Sequence, residues 1–305
     1  MTSLKSDFQT PMSPWPSLLD YGKQLKVSEL ELDLFYFEAG KKDQRNLIMI
    51  HGLGDEADTW RHVFLPLSEQ YHVFALDLPG FGRSEKPDVD LTPDYLIKTI
   101  VGFMDQLGID SAILMGSSLG GILSHGLALT YPERVTGLIL VGGALLQAEQ
   151  IQDWSIRLMS LPIIGEWLYT RLRKNPDAAF ASLKSVYYQL DKLPEADRSF
   201  LFTRVNQRVW SNGQRRAYFS TLRKLAPWLR TLQTDLPAQL RDLITPTLVI
   251  RGEFDPLFPE ANAQALIKRQ PNATRATIKG AGHLPQQEDP ETFLKVVRLW
   301  LHQNF

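Results

Sequence analysis

The chain has no cysteine among its 305 residues. Disulfide bonds, thiolate zinc sites, iron–sulfur clusters and a cysteine nucleophile are therefore excluded. An excess of either charge is also missing, since the chain has 33 Lys and Arg residues and 34 Asp and Glu residues. A chain without an overall positive field has no general means of holding nucleic acid or an anionic membrane. We therefore expect no nucleic-acid partner.

Long apolar runs are missing too. Residues 1–19 contain a single lysine and no continuous apolar stretch of the length that a secretion signal needs. The most apolar long segment, residues 112–130, contains His125 and several serines and glycines, which makes it a poor membrane span. The expectation is a cytoplasmic protein with no integral membrane segment.

The short motifs of metal and nucleotide sites are also absent. The sequence has no His-Glu-x-x-His pair, no Gly-x-x-x-x-Gly-Lys loop and no Gly-x-Gly-x-x-Gly opening a helix. We expect neither a metal nor an organic cofactor.

What the sequence does contain is an alternation of short apolar runs with helical patterns. In residues 30–36, Leu30, Leu32, Leu34 and Tyr36 alternate with Glu31, Asp33 and Phe35, which is the period of a half-exposed strand. The later runs are short and continuous, which suits strands buried on both faces of a parallel sheet. These runs cover residues 46–50, 71–76, 112–115, 138–141, 247–250 and, more weakly, 275–278, and helical patterns lie between them. The alternation predicts an α/β sheet covered by helices on both sides.

One gap interrupts this alternation. Residues 145–238 show helices and loops without a convincing strand, and they carry 14 basic against 8 acidic residues and twelve aromatic ones. A helical insertion after a sheet strand suggests a cap, or lid, over a site. The alternative is an ordinary helical subdomain with a solvated basic face. The domain prediction is an N-terminal arm at residues 1–29, a core at residues 30–144 and 239–305, and a helical cap at residues 145–238.

The strongest chemical signal is the run Gly116-Ser117-Ser118-Leu119-Gly120, which follows an apolar strand and opens a helix. A sharp strand-to-helix turn forces its central serine into a strained backbone conformation with positive φ. Only Ser118 has glycines two positions away on both sides, so Ser118 is the candidate nucleophile. A plain glycine-rich turn is the alternative interpretation.

A serine nucleophile needs a base and a group that orients the base. His283 follows the last weak strand, and loops at the carboxyl ends of parallel strands meet at one edge of the sheet, where Ser118 also lies. The orienting acid is expected just after the strand at residues 247–250. Asp255 is the first choice there and Glu253 the alternative.

Acyl transfer also needs hydrogen-bond donors for a developing oxyanion. The loop His51-Gly52-Leu53-Gly54 follows a strand that ends at the same sheet edge. The backbone N–H groups of Leu53 and of Leu119, which follows the candidate nucleophile, are the candidate donors. The helix that begins at Leu119 adds its dipole to the field.

Taken together these motifs resemble the α/β-hydrolase superfamily, in its serine-nucleophile form with a helical cap. The resemblance runs from about residue 30 to residue 301. It rests on His51-Gly-Leu-Gly, Asp77-Leu-Pro-Gly-Phe-Gly-Arg-Ser84, Gly116-Ser-Ser-Leu-Gly-Gly121, Gly252-Glu-Phe-Asp-Pro256 and Gly282-His-Leu-Pro285. It implies an eight-stranded, mostly parallel sheet and a Ser–His–Asp triad.

The resemblance leaves the substrate open. Members that open epoxides or displace halide carry an aspartate where Ser118 stands, so those reactions are disfavoured. The expected function is a cofactor-independent serine hydrolase that cleaves a small or medium carboxylic ester, with Ser118, Asp255 and His283 as its catalytic residues. The alternatives are a carbon–carbon bond hydrolase, a perhydrolase-type haloperoxidase, and a ligand-binding receptor that keeps the triad. The stretch Asp77–Ser84 is interpreted as a structural turn beside the site.

Overall fold

The computed structural model describes residues 12–145 and 158–305, which are built around one eight-stranded sheet. The strands are β1 (Gly22–Val27), β2 (Leu32–Ala39), β3 (Asn46–Ile50), β4 (His72–Leu76), β5 (Ala112–Ser117), β6 (Val135–Val141), β7 (Thr247–Gly252) and β8 (Ala273–Ile278). Their spatial order is β1-β2-β4-β3-β5-β6-β7-β8, antiparallel at the first two pairings and parallel from β4 to β8. The eight-stranded, mostly parallel sheet that the sequence implied is confirmed.

Strand β1 lies within residues 1–29, which the sequence predicts to be an N-terminal arm. It pairs antiparallel with β2, bringing Leu25 opposite Leu34 and Val27 opposite Leu32. It is an edge strand with mostly exposed side chains, so its apolar pattern is too short to stand out in the sequence. Leu18, just before it, is fully buried. The chain is therefore part of the packed core well before residue 30.

Helices cover both faces of the sheet. They are α1 (Phe64–Ser68), α2 (Pro93–Gln106), α3 (Leu119–Thr130), and, near the C-terminus, α9 (Glu260–Arg269), α10 (Pro285–Glu288) and α11 (Pro290–Asn304). Alternate strand residues enter two separate cores: Ile48 and Leu114 pack on the face of α2 and α3, and Leu47 and Ile113 on the face of α1 and α11. Strand side chains alternate between faces, which explains why these strands are apolar at nearly every position.

Between β6 and β7 the chain forms a helical insertion. From residue 158 onward its helices are α4 (Ile164–Arg171), α5 (Pro176–Ala181), α6 (Glu195–Trp210), α7 (Asn212–Leu232) and α8 (Leu236–Asp242). The Ser211 side chain accepts a hydrogen bond from Gln214 N at 3.2 Å, which caps α7 and separates it from α6. Within the two described ranges, no helix is long and apolar enough to cross a membrane.

Candidate active site

Ser118 occupies the sharp turn between β5 and α3. Its backbone has φ +52° and ψ −114°, the positive φ that the glycine pattern predicted. Ser118 N donates to Val141 O of the neighbouring strand at 2.7 Å, and Ile122 N of the helix donates to Ser118 O at 3.1 Å. Strand and helix thus hold the residue from both sides in a conformation that is strained for any side chain.

The glycines around Ser118 are required by close backbone contacts. A Cβ on Gly116 would lie 2.1 Å from Gly120 O, and a Cβ on Gly120 would lie 2.1 Å from Ile50 O. The two serines also differ in position, because Ser117 is fully buried and its Oγ accepts from Gln286 Nε2 at 3.4 Å. Ser118 is only partly buried, so it is the more accessible of the two residues.

His283 and Asp255 form a buried pair. His283 Nδ1 lies 2.9 Å from both Oδ1 and Oδ2 of Asp255. Asp255 Oδ1 also accepts from the backbone N–H groups of Leu257 and Phe258, both at 2.9 Å, which fixes the carboxylate. With Nδ1 engaged, the second imidazole nitrogen is directed elsewhere. In the part of the chain that is described, buried His283 Nε2 has no hydrogen-bond partner.

Two consecutive glycines after β6 bring this pair next to Ser118. A Cβ on Gly142 would lie 3.0 Å from His283 Nδ1 and 3.1 Å from Asp255 Oδ2. A Cβ on the next residue, Gly143, would lie 2.2 Å from Ser118 O. The serine and the His–Asp pair, 137 residues apart at their nearest positions along the chain, therefore border the same short turn.

Glu253, the alternative acid, lies elsewhere. Its Oε2 accepts from Gly280 N at 3.0 Å, so it supports the loop that leads to His283. Asp255 and not Glu253 contacts the imidazole.

The loop after β3 also lies against Ser118. A Cβ on Gly52 would be 3.2 Å from Ser118 Cβ and 3.9 Å from its Oγ. His51 anchors this loop, because its Nε2 accepts from Leu78 N at 2.9 Å and its Nδ1 lies 2.7 Å from Gly52 O. A nitrogen that accepts from a backbone N–H carries no proton, so Nδ1 carries it and donates to Gly52 O. Leu53 follows the anchored residues directly.

The Asp77–Ser84 stretch forms a buried turn. Asp77 accepts from Ala57 N at 2.7 Å and from Arg83 Nε at 2.8 Å, and Ser84 Oγ donates to Asp77 O at 2.6 Å. Arg83 Nη1 also lies 2.6 Å from Asp58 Oδ2. Burial by itself would raise the pKa of Asp77, but the Arg83 guanidinium outweighs burial and lowers this pKa. These contacts agree with the structural role predicted for the turn.

Helix α6 of the insertion adds two arginines to these buried carboxylates. Arg204 Nε lies 3.0 Å from Glu56 Oε1, and Arg208 Nε donates to Glu56 Oε2 at 2.8 Å. Arg208 also pairs with Asp55. Burial would raise the pKa of Glu56, but Arg208 and Arg204 outweigh it and hold this pKa below its usual value. We call Asp55, Glu56, Asp58, Asp77, Arg83, Arg204 and Arg208 the buried charge cluster.

The buried charge cluster was not foreseen from the sequence. In it, two arginines of the basic insertion pair with carboxylates of the acidic core, so part of the excess positive charge of the insertion is buried and neutralised. The only signal was that opposite imbalance of charge between the two parts. Four carboxylates face three guanidinium groups, and the pKa of Asp58 is raised, by burial above all.

The insertion also contacts the loop that carries His283. Val186 O accepts from His283 N at 2.8 Å, and Gln189 Nε2 donates to Gly280 O at 2.7 Å. Next to the Asp–His pair, the ring of Tyr188 stacks on Phe254 with centroids 3.9 Å apart. The position of His283 therefore depends on residues of the insertion as well as on the core.

Tyr218 of α7 is an aromatic side chain of the insertion that reaches the loop next to Ser118. A Cβ on Gly54 would lie 3.1 Å from Tyr218 Cδ2. Tyr169 packs on Tyr218 with centroids 5.6 Å apart, and burial raises the pKa of both phenols, which keeps them neutral. Trp210 instead packs below the Arg173 guanidinium, and Trp154 lies outside the described residues.

No cation site is formed by the described residues. Across residues 12–145 and 158–305, three or more His, Asp or Glu side chains are nowhere grouped as metal ligands.

Comparison with known proteins gives a consistent family and two chemistries. A family model described as alpha/beta hydrolase fold matches residues 45–290. The chain is 29% identical over 276 residues to 2-hydroxy-6-oxo-6-(2'-aminophenyl)hexa-2,4-dienoic acid hydrolase of Metapseudomonas resinovorans, covering 88% of this chain and 87% of that protein. It is 30% identical over 255 residues to pimeloyl-(acyl-carrier protein) methyl ester esterase of Edwardsiella ictaluri, covering 84% and 91%.

Solved structures give the same fold. The meta-cleavage product hydrolase CumD of Pseudomonas fluorescens IP01 matches with a TM-score of 0.76 and 23% identity, covering 93% of this chain and 99% of that one. At this identity the similarity concerns the fold.

Proposed function

This chain belongs to the α/β-hydrolase fold family and is a hydrolase, and on that premise we propose that it is a serine hydrolase that cleaves carboxylic esters without a cofactor. The observation that supports this proposal most strongly is that Ser118, at φ +52°, and the His283–Asp255 pair border the same Gly142-Gly143 turn. Ser118 is the nucleophile, His283 the general base and acid, and Asp255 the group that orients the imidazole.

In the first half of the reaction Ser118 Oγ attacks the ester carbonyl and its proton passes to His283 Nε2. Asp255 accepts the Nδ1–H and stabilises the imidazolium that forms. The tetrahedral intermediate expels the alcohol, which takes the proton from Nε2, and the acyl group stays on Ser118. The backbone N–H groups of Leu53 and Leu119 are the proposed oxyanion donors, helped by the N-terminus of α3.

In the second half a water molecule attacks the acyl group while Nε2 takes one of its protons. Collapse of this intermediate releases the carboxylic acid and returns the proton to Ser118 Oγ. Overall one ester and one water become one acid and one alcohol, and the enzyme is unchanged.

The surroundings of Ser118 favour an uncharged substrate with an apolar or aromatic part. Tyr218 and Leu53 are neutral, and the Arg208 guanidinium is already paired with Glu56 and Asp55. A carboxylate on the substrate would have to compete for that arginine with two partners of the enzyme itself. The competition for Arg208 therefore favours esters whose acyl group carries no further charge.

A panel of p-nitrophenyl esters of increasing acyl length tests the proposal. We expect fast multiple turnover that Ser118→Ala abolishes, whereas Ser117→Ala, the matched control on the adjacent residue, keeps most of it. A single slow turnover would instead support a receptor that keeps the triad. Equal loss of turnover in both variants, with the acyl group found on Ser117, would overturn the assignment of the nucleophile.

A carbon–carbon bond hydrolase is the second candidate, favoured by the 29% identity to the Metapseudomonas enzyme over most of both chains. The same serine and base would then act on a ketone carbonyl. The discriminating assay offers the protein 2-hydroxy-6-oxo-6-phenylhexa-2,4-dienoate and follows loss of the conjugated absorbance. Faster turnover of this acid than of every ester in the panel would make carbon–carbon cleavage the better assignment.

A further inference from the structure

The insertion exposes an unusual number of large apolar side chains in a short segment. Of the twelve such side chains that are exposed among the described residues, five lie within residues 158–167. They are Leu158 (37% exposed), Leu161 (45%), Ile163 (82%), Ile164 (45%) and Trp167 (53%). Single exposed apolar residues are ordinary, but a cluster of this kind marks an interaction surface. We call these five residues the apolar patch.

The packing of α4 explains why its apolar side chains point outward. Gly165 is buried against α7, where a Cβ would lie 2.8 Å from Phe219 Cε1. Tyr169, one turn later on the same face, packs on Phe219 with centroids 5.7 Å apart. Trp167 is two residues from each of these, about 200° around the helix, so it lies on the opposite, outer face. The inner face of α4 is therefore already used.

Ile163, immediately before α4, adds a second peculiarity. It has φ +70° and ψ −46°, a conformation that is strained for a β-branched residue. Its side chain is the most exposed of the apolar patch, so it gains little packing within the chain in return for that strain. Strained residues of this kind occur preferentially at functional positions.

The apolar patch is bordered by positive charge. Residues 158–174 contain three basic residues, of which Arg173 turns inward and donates to Val209 O. The one acidic residue, Glu166, pairs with Arg223 of α7 at 2.6 Å. The Arg171 guanidinium lies over the Trp167 ring at 4.2 Å from its centroid, and exposed Lys174 follows. The whole chain has almost no net charge, but this face is locally basic.

We infer that the apolar patch docks onto the surface of an anionic lipid bilayer. Apolar side chains bordered by Lys and Arg are the arrangement that enters the boundary between headgroups and acyl chains, to a depth of about 5–10 Å. Ile163 and Trp167 insert, and Arg171 and Lys174 meet lipid phosphates. A second copy of this chain fits less well, since a symmetric contact would oppose the same basic border to itself.

Co-sedimentation with vesicles tests this docking without requiring turnover, so a negative ester assay does not affect it. We expect the full chain to bind phosphatidylcholine vesicles that contain phosphatidylglycerol and to bind pure phosphatidylcholine much less. Binding falls when salt is raised from about 0.1 M to about 1 M, because the Debye length shrinks from about 10 to about 3 Å. The double variant Ile163→Ser/Trp167→Ser is expected to bind about tenfold or more weakly.

Two further variants serve as controls. Ile244→Ser is matched in type and exposure, since Ile244 is 83% exposed but lies outside the patch, and it keeps full binding. Ile163→Gly removes the side chain and relieves the positive φ, so we expect weaker vesicle binding with no decrease in melting temperature. That combination separates a lost contact from a folding defect.

Several results would overturn the docking. They are no binding of the wild type at low salt, full binding by Ile163→Gly, and equal loss of binding in Ile244→Ser. The remaining one comes from sedimentation velocity without lipid. If the wild type does not bind vesicles and forms a dimer, and the variant Ile163→Ser/Trp167→Ser is a monomer, the partner of the apolar patch is a second copy of the chain.

Discussion

Arg208 of the insertion and Glu56 of the core form a two-point ion pair in the interior of the protein. Arg208 Nε donates to Glu56 Oε2 at 2.8 Å, and its Nη2 lies 2.7 Å from Oε1. Glu56 belongs to the same short loop as Leu53, whose N–H is a proposed oxyanion donor. The insertion is therefore attached directly to a loop of the candidate active site.

The first prediction concerns this ion pair. Arg208→Met should lower the free energy of unfolding by about 3–5 kcal/mol, because Glu56 is left buried with half of its partners removed. Arg216→Met is the matched control in the same insertion, since the pair between Arg216 and Asp88 is exposed, and it should change stability by less than about 0.5 kcal/mol.

Denaturant unfolding measures both variants. Adding Glu56→Gln to Arg208→Met should recover part of the loss, because no uncompensated buried carboxylate then remains. If Arg208→Met is no more destabilising than Arg216→Met, the pair does not hold the insertion to the core.

The second prediction separates the two candidate acids. Asp255→Asn should lower kcat about 10⁴-fold, because an amide NH₂ at this position disfavours the tautomer of His283 that carries its proton on Nδ1. Glu253→Gln should have a far smaller effect, since Glu253 Oε2 accepts from Gly280 N and does not touch the imidazole. Steady-state rates on one p-nitrophenyl ester, with circular dichroism to check folding, suffice. A larger loss in folded Glu253→Gln would reverse the assignment.

The third prediction uses the strain at Ser118. A non-glycine residue at positive φ destabilises the folded protein by about 1–3 kcal/mol. Glycine avoids this strain, but its greater flexibility in the unfolded chain lowers stability by roughly 0.4–1 kcal/mol. The strain is the larger effect, so Ser118→Gly should be inactive yet more stable than the wild type and than Ser118→Ala. Denaturant unfolding of the three proteins with equal m-values tests this order. Ser118→Gly as the least stable of the three would mean that the turn is unstrained.

The fourth prediction is a pH dependence of stability from His125. This side chain is fully buried, and burial lowers its pKa to about 4. In the unfolded chain this histidine takes up a proton near pH 6.5, whereas in the folded protein it does so only near pH 4. Its contribution to the free energy of unfolding is therefore complete above about pH 6.5 and is lost as the pH falls towards 4. Its size is about 3 kcal/mol.

His125→Asn isolates this contribution. His125 Nδ1 accepts from Leu145 N at 3.3 Å, and the asparagine carbonyl oxygen can accept in its place without titrating. Unfolding free energies between pH 4 and 6.5 should therefore vary less in the variant than in the wild type. Parallel profiles for the two proteins would show that His125 does not carry the dependence.

The fifth prediction concerns substrate choice. Tyr218→Ala should change the ranking of ester chain lengths, because Tyr218 contacts the loop beside Ser118. Trp210→Ala should leave the ranking unchanged, since Trp210 packs under Arg173. Values of kcat/KM across the ester panel compare them. An altered ranking in Trp210→Ala alone would place the acyl pocket on another side of the insertion.

Local sequence patterns sufficed for the sheet and for the serine. Strands buried on both faces are apolar at nearly every position, so β3 to β7 could be predicted from short continuous apolar runs. Strand β2 was recognised by its alternating pattern, and the mostly exposed β8 only weakly. The Ser118 turn was also readable, because glycines two positions away on either side are needed for backbones that approach this closely. Strand β1 escaped prediction because an exposed edge strand requires few apolar residues.

Contacts between distant parts of the chain could not be read in this way. Glu56 and Arg208 are 152 positions apart, and a buried ion pair leaves no periodic pattern in a sequence that is rich in both charges. For the acid, the sequence favoured Asp255 and left Glu253 as the alternative. Only the fold shows the direction of each carboxylate, that of Asp255 towards His283 and that of Glu253 towards Gly280 N. Burial and direction arise only when the elements pack, so the folded chain was needed for both.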